Sequence, residues 1–147
     1  MKTEKLHREA KFKSTTNNLG KIRSFITNIL LQCEISEEER DKIILAVDEA
    51  CTNIIKHAYK LSPDNDIKIQ VNFYDSELNI KIIDYGQSFD PSKVPIPDIK
   101  EFYKKHKVGG LGLHLIRSLM DEVDFKIIPG VQNEVTLVKV LSKTSCC

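Results

Sequence analysis

Glu49, Asn53 and His57 recur at intervals of four residues, so on a helix they line one edge. A carboxylate and an amide one turn apart can hold a divalent cation and orient a nucleophile, with the amide oxygen as a hard ligand and the carboxylate as base. The same spacing also describes a solvated helix edge. Asp84 ends a segment in which Leu78, Ile80 and Ile82 alternate with Asn79 and Lys81, and continuing that period puts its carboxylate on the buried side. A buried carboxylate costs several kcal/mol unless it is hydrogen-bonded, so Asp84 requires a partner. That partner is either a loop amide, since Asp before Tyr-Gly is a good turn starter, or a donor group on a ligand at the mouth of an apolar pocket. Gly109, Gly110 and Gly112 stand at the start of a helical pattern, where backbone amides and the helix dipole can meet phosphate oxygens. The spacing matches neither a Walker A loop nor GxGxxG, and a flexible helix start explains it equally well. Lys104, Lys105 and Lys107 precede it and are able to neutralise phosphates, although basic runs in loops are commonly just solvated.

These residues need a scaffold, and the chain supplies one. The stretch ending in Lys11-Phe12-Lys13-Ser14-Thr15-Thr16 suits an edge strand before a helix beginning at Asn17 or Asn18. Ile22, Phe25, Ile26, Ile29, Leu30 and Cys33 form the apolar face of that helix. Ser36-Glu37-Glu38-Glu39 is a capping box, in which Ser36 accepts from the Glu39 amide while Glu39 reaches back. It opens a second helix, expected to run to about Tyr59, with Ile43, Val47, Ala50, Ile54 and Ala58 inward. Ile67, Ile69, Val71 and Phe73 alternate with polar residues in a first strand, and Tyr74-Asp75-Ser76-Glu77 turns the chain into a second. Tyr85 to Gly110 breaks the pattern with three prolines and reads as a functional loop. A helix bearing Leu113, Ile116, Leu119 and Met120 follows, then strands near Val123–Ile128 and Glu134–Leu141. Four or five strands and three helices in this order predict an α+β fold, a two-layer sandwich with helices on one face of a mostly antiparallel sheet.

Composition sets the outer bounds. With 147 residues the chain suits one domain, read as 1–147 with a core of about 12–141. Lys and Arg number 22 against 21 Asp and Glu, a net charge of +1, which argues against direct nucleic-acid binding through counterion release. No apolar run suits a membrane span and the charged start lacks a signal-peptide core, so a cytoplasmic protein is expected. Cys33 and Cys51 fall in apolar-periodic segments and read as reduced core thiols, whereas vicinal Cys146 and Cys147 suit neither an unstrained disulfide nor a zinc site.

Three strings occur in order: DEACTNIIKHAY (Asp48 to Tyr59), IIDYGQSFDP (Ile82 to Pro91) and GGLGLHLIRSLMDEV (Gly109 to Val123). Together they resemble the N box and the two glycine boxes of the GHKL ATPases. Their EAxTNxxKHAY and GLGLxLIRxLMDEV forms are similar to the anti-sigma factor serine kinases of the RsbW and SpoIIAB type. The resemblance spans about Phe12 to Leu141 and implies the Bergerat α/β sandwich with ATP or ADP and Mg²⁺ as ligands. It implies that Asn53 coordinates the magnesium bridging the nucleotide phosphates and that Glu49 is the general base. Asp84 would bond the adenine amino group, with Gly86 letting the base approach and Gly110 and Gly112 beside the phosphates. His57, Phe89, Gly109, Leu111, Leu113 and Asn133 complete the implied nucleotide contacts. Where the family commonly has Gly-Thr before its last strand, this chain has Gln132-Asn133, and Asn133 can donate or accept. The basic residue with which the family grips its protein substrate has no obvious match; Lys21 and Arg23 are only nearby.

The resemblance thus implies a Mg-ATP-dependent serine/threonine kinase acting on an anti-anti-sigma partner of the STAS type and sequestering a sigma factor, as a homodimer. The same residues suit a nucleotide-dependent binding module that sequesters a regulator without phosphotransfer. A detached histidine-kinase catalytic domain is disfavoured, because no helix hairpin carrying a phospho-accepting histidine precedes the motifs.

Overall fold

The computed structural model describes residues 4–88 and 111–142, with Leu111 described by its backbone only. Phe89, Gly109, Gly110, Lys104, Lys105, Lys107, Cys146 and Cys147 lie outside the described residues.

Strand β1 spans Glu4–Lys13, longer than the edge stretch expected, and pairs antiparallel with β2 (Asp66–Tyr74). Strand β3 (Glu77–Asp84) returns beside β2 after a tight turn at Asp75 and Ser76, so Tyr74 and Glu77 close the ladder instead of belonging to the turn. The last hairpin is β4 (Glu122–Ile128) and β5 (Gln132–Val140). It docks through its second strand, which gives the antiparallel order β1-β2-β3-β5-β4. Ile67, Ile69, Val71 and Phe73 of β2 and Leu78, Ile80 and Ile82 of β3 are buried, as their alternation predicts.

A single 3-10 turn at Thr16–Asn18 leads into α1 (Leu19–Leu30). Asn18 does not cap this helix: its Nδ2 donates back to the Lys13 carbonyl at 2.9 Å. Helix α2 (Glu37–Asn53) starts with Ser36 Oγ accepting from the Glu39 amide at 3.1 Å. Only this half of the expected box forms, because the Glu39 carboxylate turns away to accept from Ser142 Oγ at 2.7 Å. Helix α3 (Leu111–Leu119) packs on α2. The apolar faces of all three helices share one core with the buried strand residues. The opposite sheet face carries polar pairs such as Lys68–Glu9 at 2.9 Å, so one helical layer covers one sheet face. Cys33 and Cys51 are buried free thiols, and burial pushes the Cys51 thiol up from its ordinary range, which keeps it inert.

The second helix departs from expectation at its end. The α-helix stops at Asn53 and a single π turn occupies Ile54–Ala58. The Tyr59 amide bonds the Ile54 carbonyl at 2.9 Å, and the Ala58 carbonyl leaves the helix to accept from Gln87 N at 2.8 Å. Lys60 and Leu61 then take positive φ and end the helix, and the loop after β3 satisfies one of its last carbonyls.

Candidate functional site

Asp84 closes β3 at the sheet's centre and is 5% exposed. The amide of Gly86 donates to its Oδ1 at 3.0 Å and Asn133 Nδ2 donates to the same oxygen at 2.9 Å. Both of the partners anticipated for this carboxylate therefore exist in part: a turn amide is present, and the residue also faces a cavity. Burial is the largest influence on the Asp84 carboxyl and raises its pKa above the ordinary 3.8, while the two bonds pull the other way and only moderate the rise. Because the folded form holds the proton more tightly than the unfolded chain, the stability from this group is complete below the ordinary value and is lost as pH rises through the raised one. Urea unfolding across that window should show wild type losing stability relative to Asp84→Asn as pH increases.

The cavity has a volume of about 410 Å³, a size suited to a small organic ligand. Ala50, Asn53, Ile54, His57 and Ala58 form its helical wall, Leu113 and Ile116 a second, and Phe125, Ile127 and Val135 the sheet side. Asp84, Gln87, Ser88, Asn133 and Glu134 supply its polar groups. The two helical walls and the sheet side are mainly apolar, and the buried Asp84 carboxylate offers an acceptor to a ligand's donor group.

Gly112, at the start of α3, binds the helices into the same site. A methyl group there would stand 3.1 and 3.2 Å from the Asn53 side-chain nitrogen and oxygen and 3.2 Å from Glu49 Oε2. The missing side chain lets the helix start approach both groups closely. Glu49 itself does not line the cavity; it lies one helical turn before Asn53, next to the start of α3. The arrangement therefore has the buried Asp84 carboxylate at one end and, beside Asn53 and Glu49, an oxygen-rich end where a helix N-terminus favours anions. Among the described residues no three His, Cys, Asp or Glu are grouped to hold a metal. The hard amide oxygen of Asn53 nevertheless fits a magnesium ion that takes its other ligands from phosphates and water.

Gly86 does not line the cavity. A β-carbon there would lie 2.5 Å from the Ala58 carbonyl oxygen, 2.7 Å from its carbon and 2.9 Å from a Tyr59 ring carbon. Two of these neighbours are backbone and cannot swing aside, so Gly86→Ala is expected to cost about 1–3 kcal/mol, read as a lower urea midpoint. Tyr59 secures the same crossing: its hydroxyl donates to the Asp66 carbonyl at 2.6 Å and accepts from the Tyr85 amide at 2.7 Å. Burial is the main reason its phenol is pushed up to about 12, so it remains a donor throughout the physiological range.

Residues 12–139 match the family described as the histidine kinase-like ATPase domain. The serine-protein kinase RsbW of Bacillus pumilus is 34% identical over 142 residues, covering 92% of this chain and 86% of the relative. The chain belongs to the histidine kinase-like ATPase domains, in the family of the RsbW serine-protein kinases. RsbW of Bacillus subtilis is 31% identical over 89% of the chain, and RsbW of Listeria monocytogenes 33% over 78%, covering 84% and 74% of those proteins. A crystal structure of the RsbU and RsbW domains of Rv1364c from Mycobacterium tuberculosis superposes with a TM-score of 0.69 over 95% of the chain, and the chain spans 33% of that longer one. At 17% identity this likeness speaks for the fold, which is the GHKL sandwich expected.

Within this RsbW-family domain Asn53, His57, Asp84, Leu113 and Asn133 come together around one cavity, with Glu49 and Gly112 at its oxygen-rich end. Lys21 lies on the exposed side of α1, whereas Arg23 Nη1 pairs with Asp48 at 2.6 Å and ties the helices together. Sequence reasoning missed Ser88, which line the cavity with Gln87, and also Phe125 and Ile127 of the edge strand. The period-2 pattern of β4 was a usable signal for the last two; none marked Ser88.

Proposed function

We propose that this RsbW-family serine-protein kinase binds Mg-ATP in the cavity, transfers the γ-phosphate to a serine or threonine hydroxyl of a STAS-type anti-anti-sigma protein, and otherwise sequesters a sigma factor. The observation that carries the reading is the buried Asp84 carboxylate at the floor of an apolar cavity whose other end gathers Asn53, Glu49 and the start of α3. Adenine lies against the apolar walls with its amino group on Asp84, and the phosphates run toward Gly112. Magnesium, held by Asn53, would neutralise phosphate charge. Glu49 orients the partner's hydroxyl and takes its proton as the oxygen bonds the γ-phosphorus and the bridging oxygen leaves with ADP. Positioning and charge supply most of the acceleration in such transfers. His57, at the exposed cavity rim, contributes a nucleotide contact. Phe89, Gly109, Gly110 and Leu111 belong to the same reading by family position.

The proposal extends to a cytoplasmic homodimer. Among the described residues no helix is long and apolar enough to cross a membrane, and β1 is paired on one edge only, which leaves backbone groups for a second copy. The test is transfer of label from γ-labelled ATP to a purified cognate STAS-type partner. Label on the wild-type partner, absent when its acceptor serine is replaced by alanine, is the expected result. Tight ATP binding without any transfer would replace the kinase reading with a nucleotide-dependent binding module.

A further inference from the structure

Asn133 stands directly opposite Asp84 in the β3–β5 ladder, and both N–H groups of its carboxamide are committed. Nδ2 donates to Asp84 Oδ1 at 2.9 Å and to the Gly86 carbonyl at 3.1 Å, while its oxygen accepts from Ser88 Oγ at 2.6 Å. A primary amide has two donor hydrogens, and both are spent within the protein. Asn133 consequently has no N–H left for a bound base. The Gly86 amide also chooses Asp84 Oδ1, so every bond from the described residues to this carboxylate falls on one oxygen. Oδ2 is the oxygen left for a ligand.

Asp84 Oδ1 and the Gly86 carbonyl, which only accept, determine which way the amide points, and the Ser88 hydroxyl then ties down its oxygen. Reversing the amide would set the Asn133 oxygen against Asp84 Oδ1 and the Gly86 carbonyl, two acceptor-to-acceptor contacts, and turn an N–H toward Ser88. We propose that Ser88 and Asn133 are a positioning pair that fixes the Asp84 carboxylate with Oδ2 open, making the cavity select a purine bearing an exocyclic amino group over one bearing a carbonyl there. The inference rests on the adenine reading above and deepens it, because it assigns selectivity to two residues that need not touch the base. An open carboxylate oxygen only accepts; it welcomes an amine and repels a carbonyl. Without the pair, Asp84 keeps the Gly86 amide alone and is free to rotate.

Calorimetric titration of ADP and of IDP, whose base carries a carbonyl in place of the amino group, tests this on the full chain. Wild type should prefer ADP by about 100-fold or more. Asn133→Ala should lower that ratio about tenfold and Ser88→Ala several-fold, in rough proportion to the bonds removed. Ser88 is exposed, so its variant tests the pair even where Asn133→Ala loses stability. An unchanged ADP-to-IDP ratio in both folded variants overturns the positioning role and leaves the adenine site standing. A wild type that does not distinguish the two nucleotides overturns both readings.

Discussion

Asp84→Asn is expected to weaken ADP and ATP binding by at least about 100-fold, the scale of losing a charged hydrogen bond and gaining a donor-to-donor contact. The magnitude follows from which oxygen the protein already uses. Gly86 and Asn133 both donate to Oδ1, so an asparagine at this position must place its carbonyl oxygen there. Its NH₂ then occupies the place of Oδ2 and points at the amino group it should receive. The substitution is nearly isosteric, so the fold should survive, and circular dichroism would verify that. The same geometry predicts that IDP loses far less affinity than ADP, or gains some, because an NH₂ can donate to its carbonyl. Titration calorimetry of both nucleotides reads the effect. Undiminished ADP affinity in the folded variant would falsify the adenine assignment.

Glu49→Gln should separate binding from chemistry. Glu49 lies outside the cavity walls but beside Asn53 and Gly112, so removing its charge should leave nucleotide affinity about unchanged. Glutamine keeps the size and one acceptor oxygen yet cannot take a proton from the attacking hydroxyl. Phosphotransfer to the partner is expected to fall by about 10²–10⁴, the usual worth of a positioned general base. Single-turnover transfer with saturating ATP is the decisive measurement, since it does not depend on product release. Asn53→Ala provides the contrast, with both ATP affinity and transfer expected to fall. Full transfer by Glu49→Gln would remove the base role and leave Glu49 a neighbour of the phosphate end.

Much of this site was legible in the chain because local rules produce it. The period of two in β3 placed Asp84 inward before any fold was known, and β2 confirms the same face residue by residue. Spacing of four placed Asn53 and His57 on one helix edge, and both line the cavity. Three ordered motifs then carried the family, and in the fold Leu113 lines the cavity while Gly112 meets Asn53 and Glu49.

What only the tertiary structure decided depends on competition between distant groups. The sequence order of the last hairpin does not say which strand docks on β3; the observed docking of β5 brings Asn133 opposite Asp84 across 49 residues of chain. The helical period of α2 runs on past Asn53, yet a π turn replaces the last α turn and the Ala58 carbonyl finds its partner in Gln87. Gly86 reads from the sequence as clearance for a ligand, and the packed chain adds a second demand, clearance for the Ala58 backbone. The Glu39 half of the capping box gave way to Ser142 in the same manner. Periodicity reports which face a residue takes, because that is set by the backbone next to it. Which donor wins a given carbonyl or carboxylate oxygen is settled only when separate segments meet, and that is where Ser88 and Asn133 acquired their hold on Asp84.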